Sequence, residues 1–353
     1  MKGGVAIALD AMGGDKAPEM VVKGASLARE RFPDLNFLLF GDGRRLGALV
    51  QSLPSGAEAY QIHHTDEVVT NDAKPSQALR QGRNSSMRLA IDAVGDGAAA
   101  AVVSAGNTGA LMAMSKLVLK TAPGIDRPAI ASIFPTERGD SVMLDLGANV
   151  ECDTDNLVQF AVMGHVFART VLGLDRPTLG LLNVGSEDQK GHEEVKAAAA
   201  VLRELKLPID FRGFVEGNDI CAGTVDVIVT DGFTGNVAVK TAEGTARLYT
   251  HFLRQAFTAS PLSRLGYLLA RGALDRLRVR VDPRRYNGAI LLGLNGITVK
   301  SHGGTDALGF ANAIDVAVEM LQHGFFEQTQ AELERLSAVH HRSSADKPRV
   351  AAS

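Results

Sequence analysis

Short runs of apolar residues alternate with longer stretches of helical spacing along most of the chain, and polar, glycine-containing turns separate them. The apolar runs predict buried strands over 5–9, 36–40, 99–103, 129–134, 141–146, 178–183, 225–230, 289–294 and 298–300. The helical spacing predicts helices over 18–31, 75–94, 110–119, 153–172, 192–205, 237–280 with a break at 259–261, and 307–323. Because strands and helices alternate, we predict an α/β fold, a three-layer α/β/α sandwich around a mainly parallel sheet.

The segment 225–244 contains the first candidate site. Its apolar run predicts a strand, and the polar turn 231–236 precedes the next predicted helix. Glycines in such a turn leave backbone N–H groups free at the positive end of a helix dipole, which suits an anion such as phosphate. The alternative is an ordinary strand-to-helix turn, since α/β proteins contain many of them.

Two further turns follow predicted strands. The turn 104–109 has the same order of strand, Thr-Gly sequence and helix, so it could face the turn 231–236 across one crevice at the strand ends. The alternative is that Thr-Gly is simply common in turns. The turn 41–47 is a near miss for a dinucleotide fingerprint, because its last glycine comes one position late and no acid is clearly placed about 20 residues on.

The segment 259–280 predicts a basic amphipathic helix within a single catalytic domain that spans 1–338. Arg264, Arg271 and Arg278 recur every seven residues on one face, whereas leucines cover another. Such a helix suits an anionic membrane or an acidic protein. The alternative is a helix packed on the core with a solvated arginine face. The tail 339–353 is predicted to be disordered.

The composition of the 353 residues is that of a soluble globular protein, with 45% hydrophobic and 22% charged residues and a net charge of −3. This balance argues against a general nucleic-acid binder. Cys152 and Cys221 stand far apart, which predicts free thiols in a reducing cytoplasm. No signal-peptide pattern is seen, and no window approaches the roughly 20 apolar residues of a membrane span.

The polar turns collect Asn, Thr, Ser, Lys and glycine, which supply hydrogen-bond donors rather than nucleophiles. Nucleophile-elbow, P-loop, zinc-protease and calcium-loop motifs are absent from the sequence. A reaction that fits has phosphate itself as the nucleophile, attacking an acyl thioester. A departing thiolate with a free pKa of about 8.5 needs little acid help. The protein then has to position two reactants and stabilise a tetrahedral oxyanion.

Six groups of residues, taken together and in order, resemble the bacterial phosphate acyltransferase family, PlsX. They are 10–15, 104–112, 144–149, 181–185 with 190–191, 231–237, and 291–296 with 300–303. The resemblance extends from residue 5 to about residue 321. Each motif alone is weak, whereas the ordered set is highly specific.

The resemblance implies an enzyme that transfers a long-chain fatty acyl group from acyl-acyl-carrier-protein to inorganic phosphate, giving acyl phosphate for phospholipid synthesis. It implies a fold similar to the isocitrate and isopropylmalate dehydrogenases and the phosphotransacetylases. It also implies a cytoplasmic homodimer in peripheral contact with the inner face of the cell membrane and with the downstream glycerol-3-phosphate acyltransferase. No metal, organic cofactor or nucleic acid is expected. Two alternatives remain, a nicotinamide-dependent dehydrogenase of the related fold and a non-catalytic scaffold that binds carrier protein.

Chemistry and resemblance together suggest the site. Lys190 and Asn236 are expected to bind phosphate and polarise the thioester carbonyl, and His302 is a further catalytic candidate whose alternative role is a structural cap. The expected substrate-binding residues are Asn107, Thr108, Gly109, Asn183, Gly232, Thr234 and Gly235, of which the last three would form a backbone cradle. The residues expected to contact carrier protein or membrane are Arg264, Leu265, Leu268, Leu269, Arg271 and Arg278.

Overall fold

The computed structural model describes residues 4–53, 56–204, 209–280 and 282–345. Within these ranges eleven strands join one sheet. They are β1 (Ala6–Asp10), β2 (Asn36–Gly41), β3 (Tyr60–His64), β4 (Ala101–Ser104), β5 (Ala129–Pro135), β6 (Asp140–Leu144), β7 (Thr178–Leu182), β8 (Asp210–Val215), β9 (Val227–Val229), β10 (Ala289–Leu292) and β11 (Ile297–Lys300).

Twelve α-helices lie between and after these strands in the same ranges. They are α1 (Glu19–Arg31), α2 (Gly43–Gln51), α3 (Pro75–Gln81), α4 (Ser86–Gly95), α5 (Thr108–Leu119), α6 (Thr154–Leu172), α7 (Glu193–Glu204), α8 (Gly217–Ala222), α9 (Gly232–Thr258), α10 (Pro261–Arg280), α11 (Ala307–Gln322) and α12 (Phe325–Ala345). Local chemistry sets several of the boundaries. For example, Asp153 caps α6 through the Asn156 N–H, and the Asn156 side chain accepts from the Asp153 N–H.

The sheet consists of two parallel halves that run in opposite directions. Its strand order is β3-β2-β1-β4-β11-β10-β5-β6-β9-β7-β8. The strands β3, β2, β1, β4 and β11 pair in parallel, as do β6, β9, β7 and β8. The pairings β11–β10, β10–β5 and β5–β6 are antiparallel. The mainly parallel α/β sandwich is confirmed, and the three reversals put the carboxyl ends of the two halves at opposite ends of the strands.

Alternating side chains along the strands build a core on each face of the sheet. Ile7 of β1 joins the core under α1, α6 and α11, whereas its neighbour Ala8 joins the core under α4 and α5. Met143 is opposite Ser132 in the β5–β6 register and faces the α5 side, where it packs in a cluster with Val239 of α9. Helices α5 and α9 therefore cover neighbouring parts of the same face.

Two predicted elements differ from the structure. The helix predicted over 75–94 is divided into α3 and α4, because Gly82 ends the first and the Ser85 hydroxyl caps the second through the Arg88 N–H at 3.3 Å. At the carboxyl end, α12 continues to Ala345, so the predicted disordered tail is helical up to that residue. The rest of that tail, 346–353, lies outside the described residues.

Candidate active site

The predicted site residues fall into two groups, one at each end of the strands. Asn183, Lys190 and the 231–236 segment follow β7 and β9, whereas the 104–109 turn and His302 follow β4 and β11. Because the two halves of the sheet run in opposite directions, the two turns follow strands that end at opposite edges of the sheet, so the expected common edge is wrong. Helix α9 begins in the first group and runs back over the sheet, which connects the two groups.

Helix α9 begins at Gly232, several residues earlier than predicted. The Asp231 carboxylate caps it, accepting from the Thr234 N–H at 2.8 Å and the Thr234 hydroxyl at 2.7 Å. The Gly232 N–H donates to the Asn149 carbonyl at 2.7 Å, and the Gly235 N–H donates to the Asp231 carbonyl at 3.0 Å. These three amides are bonded within the protein, and a carboxylate already occupies the helix start. The predicted backbone cradle of Gly232, Thr234 and Gly235 is therefore wrong.

The start of α9 packs directly on the loop that follows β6. A Cβ at Gly235 would lie 1.9 Å from the Asp145 carbonyl oxygen. The Asp145 carboxylate accepts from the N–H groups of Ile130, Ala148 and Asn149 at 2.9, 3.0 and 2.7 Å. Burial raises the pKa of Asp145, and these hydrogen bonds oppose that rise. Asp145 therefore fixes the end of β6 beneath the start of α9.

Asn236 lies in the first turns of α9 beside Gly147, and its side chain is exposed. A Cβ added at Gly147 would be 3.6 Å from the Asn236 Cγ, and Gly147 has a φ of 126° that glycine tolerates. Among the residues that the structure describes, the Asn236 side chain has no hydrogen-bond partner. Its amide is therefore free to bind a ligand.

Lys190 lies at the same end of the strands, in the loop between β7 and α7. Its Nζ is 2.8 Å from Glu187 Oε1, and hydrogen bonding to Glu187 raises the pKa of Lys190. The Asn183 Nδ2 donates to the Lys190 carbonyl at 3.0 Å. A Cβ at Gly191, whose φ is 92°, would collide with the same Asn183 side chain. Asn183 thus holds the loop that carries Lys190, which is a positioning role.

At the other end of the strands, the side chain of Asn107 is bonded through both its oxygen and its nitrogen. Its Oδ1 accepts from the Ala110 N–H at 2.9 Å, and its Nδ2 donates to the carbonyls of Asn71 and Ala73 at 2.9 and 3.0 Å. Asn107 therefore caps α5 and holds the preceding loop. The N–H groups of Thr108 and Gly109 have no partner within the described ranges, so they are the candidate donors of this turn.

His302 follows β11 and is exposed. Its Nδ1 accepts a hydrogen bond from the Gly304 N–H at 3.1 Å, which places the proton of the neutral ring on Nε2. Its backbone N–H donates to Asn287 Oδ1 at 2.8 Å. His302 therefore has the structural role that was its alternative, and its Nε2–H remains available to a ligand.

A polar row that the sequence pattern did not indicate crosses the ends of β1, β4 and β11. Asp10 accepts hydrogen bonds of 2.6 Å from the Ser86 and Ser104 hydroxyls, and Ser104 is opposite Lys300 in the β4–β11 register. Burial raises the pKa of Asp10 and lowers that of Lys300 to about 8. The available signal was a lysine that ends an otherwise uncharged strand, but only the strand order shows what it faces.

The glycine-rich turn before α2 has no free place for a pyrophosphate. The Asp42 carboxylate accepts from the N–H groups of Arg44 and Arg45 at 2.9 and 3.2 Å, and the Gly43 N–H donates to His64 Nδ1 at 3.1 Å. A carboxylate at the helix start repels a second anion. This arrangement argues against the nicotinamide-dependent alternative.

The segment 261–280 is the helix α10, and none of its described residues is buried. The alternative of a helix packed on the core is therefore wrong. Arg264 and Arg271 are exposed, and the side chain of Arg278 lies outside the described part of the chain. In the described ranges no helix has the length and apolarity needed to cross a membrane. The exposed fractions of the predicted leucines are 53% for Leu265, 63% for Leu268 and 82% for Leu269.

Comparison with known proteins identifies the family. A family model described as "Fatty acid synthesis protein" matches residues 5–328. A phosphate acyltransferase of Rhodospirillum centenum is 68% identical over 333 residues, which are 94% of each chain. One of Paramagnetospirillum magneticum is 62% identical over 336 residues, 95% of this chain and 96% of the relative. The chain belongs to the phosphate acyltransferase family. It is an acyltransferase enzyme, as the resemblance of the motifs implied.

Solved structures with the same fold include a phosphotransacetylase and a branched-chain phosphotransacylase. A phosphotransacetylase from Streptococcus pyogenes superposes with a TM-score of 0.60 at 18% identity, covering 90% of this chain and 94% of that one. A branched-chain phosphotransacylase from Enterococcus faecalis gives 0.54 at 13% identity, covering 90% and 99%. At this level of identity the likeness concerns the fold alone, and it confirms the phosphotransacetylase-like architecture.

Proposed function

We propose that this acyltransferase moves a long-chain fatty acyl group from acyl-acyl-carrier-protein to inorganic phosphate, giving an acyl phosphate for phospholipid synthesis. The names of the relatives support phosphate as the acceptor, and the family description supports a donor from fatty acid synthesis. The observation that carries the mechanism is that Lys190 and the unbonded Asn236 amide follow the neighbouring strands β7 and β9 at one end of the sheet, where a half-buried thiol follows β6.

That thiol is Cys152, in the loop that follows β6. Its Sγ lies 3.8 Å from the Asn149 carbonyl oxygen. Burial, with a further contribution from the Asp145 charge, raises the pKa of Cys152 to about 12. Since the thiolate is the nucleophilic form, Cys152 is a poor acceptor for an acyl group at neutral pH. Direct attack by phosphate is therefore favoured over an acyl-cysteine intermediate.

In the proposed reaction a phosphate oxygen attacks the thioester carbonyl carbon and forms the new C–O bond. The carbonyl oxygen becomes an oxyanion, for which the Lys190 ammonium and the Asn236 amide are the donors. Collapse of the tetrahedral intermediate breaks the C–S bond and the carrier-protein thiolate leaves. The proton that the thiolate takes up from solvent is balanced by the one that the phosphate group releases. Both donors are also suited to positioning the phosphate before attack.

The residues at the other end of the strands complete the proposed site. The N–H groups of Thr108 and Gly109 and the Nε2–H of His302 are its unbonded donors, and they would hydrogen-bond the phosphate or the leaving sulfur. Asn107 and Asn183 shape these surroundings through their bonds to the protein. No step in this mechanism calls for a metal or an organic cofactor.

The α10 surface, defined as Arg264, Leu265, Leu268, Leu269 and Arg271, is proposed to contact the acidic carrier protein and the anionic membrane. Exposed leucines beside exposed arginines support this role, because such a helix can insert its apolar side while its cations hold negative charge. The enzyme would then act as a cytoplasmic homodimer at the inner face of the membrane, where a glycerol-3-phosphate acyltransferase would consume its product.

The decisive experiment supplies acyl-acyl-carrier-protein with and without inorganic phosphate and traps product with hydroxylamine. Hydroxamate that forms only with phosphate is the expected result, together with release of one carrier-protein thiol per hydroxamate. Binding of carrier protein without loss of thioester would contradict the proposal and support the scaffold alternative. Thioester loss that does not depend on phosphate would contradict it equally.

A further inference from the structure

Lys300 is the last residue of β11, and its side chain is on the face of the sheet that α5 and α9 cover. The alternation along β11 shows this, because Val299 packs in the core on the opposite face. The Lys300 Nζ donates to the Ser301 carbonyl. An ammonium carries three donors, so this single bond leaves two unused within the described part of the chain.

The charged groups around Lys300 come from three other segments. Asp10 of β1 and Asp15 in the following loop are the nearby anions, and Lys240 of α9, a helix that covers the same face of the sheet, is a nearby cation. His302, two residues on, is the remaining titratable group on the same strand end. Lys240 is exposed, and its Nζ is 2.9 Å from Glu243 Oε2 on the same helix.

A simple buried ion pair does not account for Lys300. The Asp10 carboxylate already accepts two hydroxyl hydrogen bonds of 2.6 Å, and among the described residues Lys300 forms no ion pair within 4.0 Å. The nearby Lys240 ammonium repels the charge on Lys300, and partial burial adds a cost for the charged form. An anion between them would offset both effects, which is how paired cations normally serve a binding site.

We propose that Lys300 and Lys240 bind the inorganic phosphate substrate between them. The inference rests on the proposed function and extends it. It places the phosphate beside α9, one helical turn from Asn236, which is proposed to polarise the thioester carbonyl. Residues 236 and 240 are four apart and therefore on one helix face. The phosphate would thus lie between Lys300, at the end of β11 in one half of the sheet, and Lys240, on the helix that follows β9 of the other half.

The titration of Lys300 gives this site a characteristic pH dependence. Burial lowers its pKa to about 8, so the ammonium is charged at neutral pH and loses its charge as the pH rises through that value. Inorganic phosphate gains negative charge up to about this pH and is almost entirely dianionic above it, so its own charge no longer changes there. Affinity for phosphate is therefore expected to fall above about pH 8, and an arginine at the same position, which stays charged, should remove that fall.

The test measures inorganic phosphate binding by calorimetry without acyl donor, and KM for phosphate and for acyl-carrier-protein during turnover. Lys300→Met should weaken phosphate binding and raise its KM by at least about tenfold, the loss of one charge-assisted hydrogen bond, with KM for the acyl donor unchanged. Lys240→Met should act in the same direction. Lys23→Met, an exposed lysine of α1 on the opposite face, is the matched control and should change nothing.

Unchanged phosphate affinity in folded Lys300→Met, or a rise confined to the KM for the acyl donor, would overturn the inference. So would a fall in phosphate affinity above pH 8 that persists in Lys300→Arg. The calorimetric arm needs no acyl transfer, so it separates this inference from the proposed function. If Lys300→Met loses phosphate binding while the wild type forms no hydroxamate, only the proposed reaction fails.

Discussion

Close contacts of glycine backbone atoms at the start of α9 decide whether this helix can pack on the loop that follows β6. The virtual Cβ of Gly235 is 1.9 Å from the Asp145 carbonyl oxygen, whereas Gly244, further along the same helix, has nothing within 4 Å. We predict that Gly235→Ala lowers the free energy of unfolding by about 1–3 kcal/mol through overpacking. Gly244→Ala should raise it by up to about 1 kcal/mol, since alanine favours helix. Urea unfolding of both variants checks this, and equal effects would contradict it.

The roles of Lys190 and Asn236 are also tested residue by residue. Lys190→Ala and Asn236→Ala should each lower kcat by about a hundredfold, the usual effect of losing one oxyanion donor, while far-ultraviolet circular dichroism stays unchanged. Lys196 is the matched control, because its Nζ forms the same kind of i,i+3 ion pair, 2.6 Å from Glu193. Lys196→Ala should keep full activity. Near-normal kcat in either test variant would remove that residue from the mechanism.

At the scale of the element, α10 has no buried side chain among those described, and α9, which precedes it, buries only Gly232 and Gly235. Arg264→Glu with Arg271→Glu should raise KM for acyl-carrier-protein and weaken binding to anionic vesicles, and low salt should enlarge both effects. The charge-matched control is Arg44→Glu with Arg176→Glu, two exposed arginines elsewhere. If the α10 pair behaves like this control, the helix is an ordinary solvated surface.

The helices and strands were easier to predict from the sequence than the polar turns at their ends. Local periodicity and capping residues are sufficient to predict helices such as α6, whose capping residue Asp153 can be recognised in the sequence. The start of α9 was misplaced because the apolar spacing resumes only at Val237, while the Asp231 cap and the close packing of Gly232 and Gly235 begin the helix earlier. A sequence does not show whether a backbone N–H is already hydrogen-bonded within the protein. The contact of the Gly232 N–H with the Asn149 carbonyl, which rules out the predicted cradle, therefore could not be predicted.

For the whole molecule, the reversal of the sheet between β11 and β6 decides which predicted residues share a site. The sequence predicted the strands over 129–134 and 141–146, which are β5 and β6, but it could not show that β10 inserts beside β5 and runs antiparallel to β11. That pairing joins segments more than 150 positions apart. It separates the 104–109 turn from Lys190, and it also brings Lys300 into line with Asp10 and Ser104, which no local pattern indicates.

Lys300 should also make the stability of the whole protein depend on pH. Its pKa falls from 10.5 when unfolded to about 8 when folded, so the unfolded state binds more protons between these values. By linkage, wild-type stability rises across that window by up to about 3 kcal/mol relative to a variant without the amine. Below pH 8 the full cost of the buried charge is present, and above pH 10.5 it is gone.

Urea unfolding of the wild type and Lys300→Met, in phosphate-free buffer at pH 7 and pH 9.5, isolates this effect. The other titrating groups cancel in the difference between the two proteins, and packing changes caused by methionine are the same at both pH values. We expect the stability of the variant relative to the wild type to be greater at pH 7 than at pH 9.5. A difference that does not change with pH would show that the amine is not destabilised by burial, and the pH dependence of phosphate affinity would then have no basis.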